Sequence, residues 1–314
     1  MESIWTQNIE KPNFAPLKKD IKTDVLIIGG GLTGILCAHM FSRAGIECVL
    51  CEADRICDGI TKNTTAKITL AHGLIYDKMV KRFGLDKTRD YYLWQSAALD
   101  KYRELCKNTD CDYEEKSSYV YSLSDKQRLE REAEALTKIG AKAEITSTPE
   151  LPFSTAGAVK IDNQAQFHPL KFAYALSQKL PIYENTKVLE LTPYGALTNR
   201  GKIHAKRIVV ATHFPILNKH GSYFIKLYQH RSYVLALKGA KNVRGMYVDE
   251  NDKGLSFRSY KDILLLGGGS HRTGKQGGSW QELSAFASTH YDGADEICRF
   301  ATQDCMTLDS IPYI

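Results

Sequence analysis

The sequence contains no uninterrupted apolar run close to the roughly 20 residues that a membrane-spanning helix requires. Its first residues, MESIWTQNIEKPNF, carry neither the basic end nor the apolar centre of a secretory signal. The chain also has no internal repeat and no low-complexity tract. These absences argue against a membrane span and a fibrous protein, and we expect a cytoplasmic location.

Charge of one sign is not concentrated in any part of the sequence. The 42 lysines and arginines outnumber the 36 aspartates and glutamates, which gives a net charge of +6, but the basic residues are scattered. A nucleic-acid-binding protein would gather them into a patch or stripe, so we expect no nucleic-acid partner. With 43% hydrophobic and 25% charged residues, the composition is that of a folded globular protein.

The eight cysteines do not form a recognisable metal or disulfide pattern. Cys48 and Cys51 have the CxxC spacing of zinc and redox sites, but they fall in a predicted strand, where residues three apart point to opposite faces. We therefore expect ordinary buried thiols there. No pair of Cys-x-His and Cys-x-x-His segments occurs, which excludes a Rieske iron–sulfur site within this chain. We predict no metal site.

The first part of the chain has the pattern of a βαβ unit. An apolar strand at residues 24–28 runs directly into three glycines and a helix that reaches about residue 44, and a second strand follows at residues 47–52. Further on, the sequence predicts helices within residues 76–107, 126–139 and 169–180, strands at 118–124 and in most of the chain after 187, and turns at 199–201 and 251–254. This order predicts a mixed α/β (α+β) fold, in which a Rossmann-like domain is interleaved with an antiparallel-sheet domain.

Gly29, Gly31 and Gly34 match the G-x-G-x-x-G pattern of dinucleotide-binding turns. In that pattern the first glycine permits a tight turn, the second lets the backbone approach a pyrophosphate, and the third allows the helix to pack on the strand. The helix that opens there offers unpaired N–H groups to the diphosphate. The alternative is a glycine-rich turn without a ligand.

Glu52 ends the second strand, 18 residues after Gly34. At that position a carboxylate can accept a hydrogen bond from a ribose hydroxyl, and it would repel the 2′-phosphate of NADP. Glu52 does not distinguish NAD from FAD. The residues that follow it are therefore needed to choose the cofactor.

Those residues carry a family resemblance. The run Glu52-Ala53-Asp54-Arg55-Ile56, then Gly59, Thr61 and Thr64-Thr65-Ala66-Lys67, resembles the FAD-dependent oxidoreductases of the D-amino-acid oxidase superfamily, which includes glycine oxidase and sarcosine oxidase. Further similar segments are NQAQFHPLKFAYAL (163–176), RIVVATHFP (207–215), HRSYVLAL (230–237) and LLLGGGSHRTGK (264–275). The resemblance covers nearly the whole chain and is strongest to a bacterial subgroup whose longer members carry a C-terminal Rieske domain.

The resemblance implies a set of FAD contacts. The small polar residues after Glu52 pass under the diphosphate and the flavin, Val188 places its backbone against the adenine, and Ala211 and Thr212 close the dinucleotide fold. The implied cofactor-binding residues are Gly29, Gly30, Gly31, Leu32, Thr33, Gly34, Glu52, Ala53, Arg55, Thr61, Thr64, Thr65, Ala66, Lys67, Val188, Ala211 and Thr212. His213 departs from the family's usual glycine. Asn63 stands where some relatives attach the flavin through a histidine, and Cys305 is a poor substitute for the cysteine of others, so we expect non-covalent FAD.

The resemblance also implies a reaction, oxidation of the C–N bond of a small amine or amino acid by hydride transfer to flavin N5. Arg258 is the first candidate for holding a substrate carboxylate, with a solvent-facing cation as the alternative. His271 and Arg272, after the glycines 267–269, are candidates for a positive charge near the flavin. Tyr247 and Tyr233 are candidate hydroxyl donors or core residues, and a cap or packing role is expected for His168.

The implied FAD-binding domain comprises residues 20–85, 150–215 and 262–314, and the substrate domain comprises residues 86–149 and 216–261. In the family, a phrase like CMTLDSIPYI is followed by a further glycine-rich strand and a helix that faces the flavin pyrimidine. A chain that ends at Ile314 is expected to bind FAD more weakly and to turn over poorly or not at all. A shortened chain, a natural truncation and an incomplete sequence all stay open.

Two other functions compete with this interpretation. A nicotinamide dehydrogenase requires the similarity at residues 64–67 to be accidental, and a non-catalytic dinucleotide-binding remnant is motivated by the segment missing after residue 314. The residues leave the electron acceptor open among oxygen, a quinone and another protein.

Overall fold

The computed structural model describes residues 2–216 and 222–312. Its strands are β1 (Ile21–Ile28), β2 (Cys48–Cys51), β3 (Lys67–Ile68), β4 (Glu114–Ser122), β5 (Glu144–Thr146), β6 (Gly157–Gln166), β7 (Ile182–Tyr183), β8 (Val188–Thr192), β9 (Gly195–Thr198), β10 (Gly201–Val210), β11 (Leu227–Lys238), β12 (Met246–Asp249), β13 (Ser256–Tyr260), β14 (Ile263–Arg272) and β15 (Asp295–Thr307). Its α-helices are α1 (Leu32–Arg43), α2 (Tyr76–Phe83), α3 (Leu85–Lys107), α4 (Lys126–Lys138), α5 (Pro169–Ser177), α6 (Tyr223–Lys226) and α7 (Ser279–His290). Short 3-10 helices lie at Ile4–Thr6 and Ile60–Asn63.

The chain divides into two compact units. The glycine-loop unit comprises Trp5–Thr64 and His168–Tyr228, and the large-sheet unit comprises Met1–Ile4, Thr65–Phe167 and Gln229–Ile314. These boundaries differ from the predicted domains, since residues 65–85, 150–167 and 262–314 belong to the large-sheet unit. The assignment of FAD-binding and substrate domains stays a prediction, and its residues 217–221 and 313–314 lie outside the described part of the chain.

The glycine-loop unit is built on a six-stranded sheet with the order β7-β2-β1-β10-β9-β8. β1 pairs in parallel with β2 on one side and with β10 on the other, and β2 pairs in parallel with β7. In this register Ile28 lies opposite both Cys51 and Val210, so the carboxyl ends of three strands meet at one edge. The predicted βαβ unit is confirmed, with β1 beginning three residues earlier than expected.

The apolar residues of the central strands explain why this sheet forms. Leu26, Val49 and Ile203 are buried together in one cluster on it, as expected for parallel strands that are covered on both faces. The turn predicted at residues 199–201 joins β9 to β10 as an antiparallel hairpin. The two cysteines of the CxxC spacing are both buried free thiols in β2, as predicted.

The large-sheet unit contains a nine-stranded sheet with the order β15-β11-β14-β13-β12-β4-β6-β3, and β5 pairs with β6. Most of its pairs are antiparallel, as predicted, and the turn at residues 251–254 joins β12 to β13. β12 and β4, in contrast, pair in parallel. Apolar residues from α2, α3 and α4 pack against it around Tyr76, Leu129 and Val159. The prediction of a mixed α/β fold is confirmed.

Three local predictions differ from the structure. The helix predicted within residues 76–107 is two helices, because Gly84, with a φ of +82°, separates the end of α2 at Phe83 from the start of α3 at Leu85. β6 was not predicted, since its polar residues Asp162 and Asn163 interrupt the apolar alternation. α7 lies where mainly strands were expected. Within residues 2–216 and 222–312, no helix is both long and apolar enough to cross a membrane.

Candidate functional site

The glycine run forms the turn between β1 and α1. Gly29 has a φ of +109°, and a β-carbon there would lie 2.4 Å from the carbonyl oxygen of Ala211. A β-carbon on Gly34 would lie 1.9 Å from the carbonyl oxygen of Gly29. Larger side chains are therefore excluded at the first and third glycines, which are the positions that set the turn and the packing of the helix on the strand.

The start of α1 is open to an anion. Gly31 caps the helix without a side-chain hydrogen bond, and the first turn contains no acidic residue. The N–H of Leu32 donates to Oγ1 of Thr61 at 3.2 Å, which brings this predicted threonine beside the glycine turn. Because a helix N-terminus carries a partial positive charge and unpaired N–H groups, this end of α1 suits a diphosphate.

Glu52 lies at the carboxyl end of β2, next to the glycine turn. Its Oε2 accepts a 2.6 Å hydrogen bond from the N–H of Gly30, and its Oε1 accepts one of 3.0 Å from the N–H of Asp54. The carboxylate is thus held in one orientation by the main chain. Its remaining lone pairs can accept from a sugar hydroxyl.

A cavity of about 850 Å³ lies over these groups, within the glycine-loop unit. That volume is within the range of small-molecule and cofactor sites. Its lining includes the following predicted cofactor residues: Gly29, Gly30, Gly31, Leu32, Thr33, Glu52, Ala53, Arg55, Thr61, Thr64, Val188, Ala211 and Thr212. Gly34 does not line the cavity, but it packs against the main chain of Gly29 in the turn.

The groups around the cavity are those that a dinucleotide requires. Its floor is a turn that accepts only glycine at two positions, and it is flanked by a helix N-terminus and an oriented carboxylate. His213, which replaces the family's usual glycine, has a φ of +65°, a conformation that glycine adopts most easily. A glycine would adopt the same conformation at residue 213 without steric cost.

Arg55 is fixed at the edge of the cavity. Its Nε lies 2.6 Å from Oε2 of Glu184, a fully buried carboxylate, and its Nη2 donates to the carbonyl oxygen of Pro12 at 2.6 Å. Oε1 of Glu184 also accepts from the N–H of Ile56 at 2.8 Å. Glu184 therefore anchors the loop that follows Glu52.

Sequence reasoning missed several residues of the cavity wall. Cys57, Asp58, Ile60, Lys62, Thr186 and Lys187 line it in addition to the predicted set. Most of them stand within or beside the predicted runs, so their closeness in sequence to predicted cofactor residues could have indicated them. Burial raises the pKa of Cys57 to about 12, which leaves this thiol protonated and unreactive.

The remaining predicted cofactor residues, Thr65, Ala66 and Lys67, belong to the large-sheet unit and do not line this cavity. In that unit they surround Arg258, which is 0% exposed. Nη1 of Arg258 donates to the carbonyl oxygens of Thr65 and Ala66, the latter at 2.7 Å, and Nη2 donates to that of Phe167 at 3.4 Å. The solvent-facing alternative for Arg258 is wrong.

These contacts favour a positioning role for Arg258. Ala66 has a φ of +54°, which is unfavourable for a residue with a β-carbon. Arg258 binds the carbonyl oxygens of Thr65 and Ala66, which lie before and after this strained torsion angle. Burial lowers the pKa of Arg258 to about 9. Its role in holding a substrate carboxylate stays a prediction.

Lys67 lies beside Arg258. Its Nζ is 3.3 Å from the carbonyl oxygen of Tyr247. Burial, with the positive charge of Arg258 as a second cause, lowers the pKa of Lys67 to about 7. Near neutral pH this side chain is thus present in both the charged and the neutral form.

Tyr247 is buried, and its hydroxyl donates to Oε2 of Glu150 at 2.8 Å. Its ring stacks on Tyr119 with the centroids 4.4 Å apart. Burial and this carboxylate raise its pKa, so the phenol is neutral. The contacts favour packing over hydroxyl donation to a substrate.

His271 is paired with Tyr233 through a 3.0 Å hydrogen bond between Nε2 and the hydroxyl. The two residues lie on adjacent strands, β11 and β14, near the irregularity in β11 between Arg231 and Tyr233. Trp280 packs edge-on against Tyr233, with centroids 4.8 Å apart. The His168 prediction is confirmed, since its Nδ1 accepts from the N–H of Lys171 at the start of α5.

A second cavity, of about 900 Å³, lies in the large-sheet unit beside α3 and β6. Its arginine and one of its lysines are paired with its acidic groups, Arg103 with Asp100 and Lys160 with Glu144. It lacks the glycine turn and the helix N-terminus of the first cavity. The chemistry of a dinucleotide site is therefore confined to the glycine-loop unit among the described residues.

Comparison with known proteins identifies the class. Residues 24–312 match the family of FAD dependent oxidoreductases (DAO). The whole chain is 32% identical to YhfW of Bacillus subtilis (strain 168), which is named as a Rieske 2Fe-2S iron-sulfur protein, and it covers 66% of that protein. It is 26% identical to gamma-glutamylputrescine oxidoreductase of Escherichia coli (strain K12) over 63% of this chain and 50% of the other. The chain thus spans half to two thirds of the length of these relatives.

Solved structures share the fold. Glycine oxidase from Geobacillus kaustophilus superposes with a TM-score of 0.70 at 18% identity, over 93% of this chain and 85% of the other. The chain belongs to the family of FAD-dependent oxidoreductases, and FAD is its cofactor. This confirms the resemblance inferred from the residues and removes the nicotinamide dehydrogenase alternative.

Proposed function

We propose that the chain binds FAD non-covalently in the cavity of the glycine-loop unit and oxidises the C–N bond of an amine or amino acid. The observation that carries the binding mode is the combination of the sterically restricted glycine turn with the main-chain-oriented carboxylate of Glu52. Family membership carries the reaction class. The amine or amino-acid substrate is supported by the named activities of glycine oxidase and gamma-glutamylputrescine oxidoreductase among the similar proteins.

Within the cavity each group has a separate task. The positive end of α1 would hold the diphosphate, Glu52 would accept from the adenosine ribose, and the backbone at Val188 would meet the adenine. FAD, when bound, supplies the acceptor for the hydrogen and electron pair that leave the carbon next to nitrogen. The chain supplies binding, orientation and electrostatics.

In the large-sheet unit we propose His271 as a catalytic residue, because its ring is held by contacts at both nitrogens. Its Nδ1 lies 3.0 Å from the carbonyl oxygen of Arg272, which only accepts, so Nδ1 carries the hydrogen in the neutral ring. Nε2 then accepts from the Tyr233 hydroxyl. The pair can hold a proton at Nε2 and orient the imidazole. Arg258 and Lys67 have a supporting role, because each donates a hydrogen bond to a main-chain carbonyl oxygen of the same unit.

Adding FAD to the purified chain and screening amines without oxygen tests the proposal. We expect stoichiometric flavin uptake, followed by bleaching of the flavin absorbance by one amine or amino acid. A matched Gly34→Ala variant should retain little flavin. Flavin uptake without bleaching by any amine would favour a dinucleotide-binding protein without oxidase activity, and a chain that takes up no FAD would contradict the binding mode itself.

The same samples test the attachment of the flavin. Asn63, in the position where some relatives carry the linking histidine, offers no group that forms such a bond, so we expect FAD to separate from the chain after denaturation and ultrafiltration. Flavin that stays with the denatured polypeptide would contradict the non-covalent mode. A Cys305→Ser variant would then show whether that thiol is the point of attachment.

A further inference from the structure

The first residues of the glycine-loop unit lie along the wall of the candidate FAD cavity. Trp5 is 0% exposed, and its indole Nε1 donates to the carbonyl oxygen of Thr64 at 2.8 Å. The indole ring also meets His168 edge-on, with the centroids 5.1 Å apart. Thr64 lines the cavity, so a residue that precedes the first strand of the sheet contacts the far end of the loop that follows Glu52.

Further contacts join the same N-terminal segment, residues 5–17, to that loop. Nζ of Lys11 lies 2.7 Å from Oδ2 of Asp58, whose Oδ1 lies 3.0 Å from Nζ of Lys62. Burial opposes ionisation of Asp58, but the hydrogen bonds from the two lysines outweigh it and hold its pKa below the usual value. The carbonyl oxygen of Pro12 accepts from Arg55 at 2.6 Å.

The segment reaches the opposite wall as well. The N–H of Phe14 donates to Oε2 of Glu184 at 3.2 Å, and that of Leu17 donates to Oγ1 of Thr186 at 3.0 Å. Glu184 in turn anchors Arg55 and Ile56 on the loop. One stretch of chain therefore holds residues 54–64 and the residues before Val188, which are the two walls of the cavity.

We propose that the N-terminal segment, residues 5–17, is part of the cofactor-binding apparatus, and that Trp5 and Lys11 are positioning residues that set FAD affinity through Thr64 and Asp58. The proposal rests on the proposed location of FAD. A loop held in the bound conformation before binding loses less conformational freedom when the ligand arrives, so affinity rises without any new contact to the ligand.

Two substitutions test it in the full chain. Trp5→Phe removes the indole N–H while it keeps an aromatic ring, and we expect roughly threefold to tenfold weaker FAD binding, the effect of one lost hydrogen bond. Lys11→Met should weaken binding by about twofold to threefold, since the ion pair is partly exposed, and Lys11→Arg should restore it. The dissociation constant is measured by equilibrium dialysis with flavin absorbance.

Matched controls come from the large-sheet unit. Trp94, which is 73% exposed on α3, is changed to Phe, and Lys81, whose Nζ lies 2.7 Å from Asp77 on α2, is changed to Met. Both should bind FAD as the wild type does. The rate of amide hydrogen exchange of residues 54–64 in the FAD-free protein is a second measurement. We expect this rate to be higher in Trp5→Phe than in the wild type and unchanged in Trp94→Phe.

The outcomes separate the two proposals. If the wild type binds FAD and Trp5→Phe binds it equally well at a temperature where both are fully folded, the N-terminal segment is only structural and the inference is wrong. If the wild type takes up no FAD, the proposed function fails, while unchanged exchange of residues 54–64 in Trp5→Phe would still refute the positioning.

Discussion

The hydroxyl of Tyr233 lies 3.0 Å from Nε2 of His271, and the two rings lie 5.7 Å apart. The contact joins β11 to β14 at a point where the pairing of β11 is irregular. Because the other nitrogen of His271 donates to the carbonyl oxygen of Arg272, both ring nitrogens of the imidazole are engaged. Its orientation is therefore determined by the sheet.

This pairing predicts an energetic coupling between Tyr233 and His271. Tyr233→Phe and His271→Ala each remove the hydrogen bond, so the two changes should not be additive, and we expect a coupling of about 0.5–1.5 kcal/mol in the free energy of unfolding. Urea unfolding of the wild type, both single variants and the double variant gives this value. In a control cycle, Tyr121→Phe replaces Tyr233→Phe, because the Tyr121 hydroxyl donates to the carbonyl oxygen of Leu255. If the coupling between Tyr233 and His271 were as small as that between Tyr121 and His271, the hydrogen bond between Tyr233 and His271 would not contribute to stability.

The glycine turn gives a second prediction. In Gly34→Ala the added methyl group meets the carbonyl oxygen of Gly29 at 1.9 Å, and both atoms are fixed by the backbone. We expect FAD affinity to fall at least tenfold, with a stability loss above the ~1–2 kcal/mol of a strained backbone alone. Gly34 lies in α1 outside the positive-φ region, so its loss comes from the steric contact, whereas Gly140→Ala measures backbone strain without such a contact, because Gly140 has a φ of +87° and nothing lies within 4 Å of its added carbon. Wild-type flavin binding by Gly34→Ala would exclude the turn from the cofactor site.

Lys67 predicts a pH dependence. Its pKa falls from 10.5 to about 7 in the folded chain through burial and the charge of Arg258. Between these values the unfolded chain binds a proton that the folded chain does not, so the free energy of unfolding rises with pH, by up to about 1.4 kcal/mol per unit. This contribution is complete above pH 10.5 and is lost as the pH falls through 7.

The measurement compares the wild type with Lys67→Met in urea at pH 7, 8 and 9. Groups common to both proteins cancel in the difference, which should shift in favour of the wild type as the pH rises. Lys81→Met removes a lysine from the surface of α2 and should give no such trend. A pH-independent difference between the wild type and Lys67→Met would show that Lys67 keeps an ordinary pKa.

The features that the sequence predicted are those carried by neighbouring residues. The strand, the glycine turn, the helix and Glu52 stand within 32 consecutive positions, from Ile21 to Glu52, and local geometry fixes their order in space. His168 is a similar case, since it caps α5 through a residue only three positions away. For these elements the composition and spacing were sufficient.

The roles that could not be predicted depend on distant pairings. Arg258 bonds to carbonyl groups 192 and 193 positions earlier, and nothing near Arg258 in the sequence distinguishes this from an exposed strand position. Trp5 reaches Thr64 over 59 positions. The break between α2 and α3 did have a local signal, Gly84, but helical periodicity on both sides obscured it.

Glu52 gives the last prediction, because its carboxylate accepts two main-chain hydrogen bonds, from Gly30 and from Asp54. In Glu52→Gln one of these N–H groups faces the amide NH₂ instead of an oxygen, so a donor is left unsatisfied at a cost of about 1–3 kcal/mol. We expect FAD affinity to fall by tenfold or more and the free energy of unfolding to fall by about that amount. Glu47→Gln removes the same charge from an exposed position of the same unit and should change neither quantity. Calorimetric FAD titration and urea unfolding of the three proteins decide the outcome, and equal affinities in Glu52→Gln and the wild type would show that the carboxylate does not contact the cofactor.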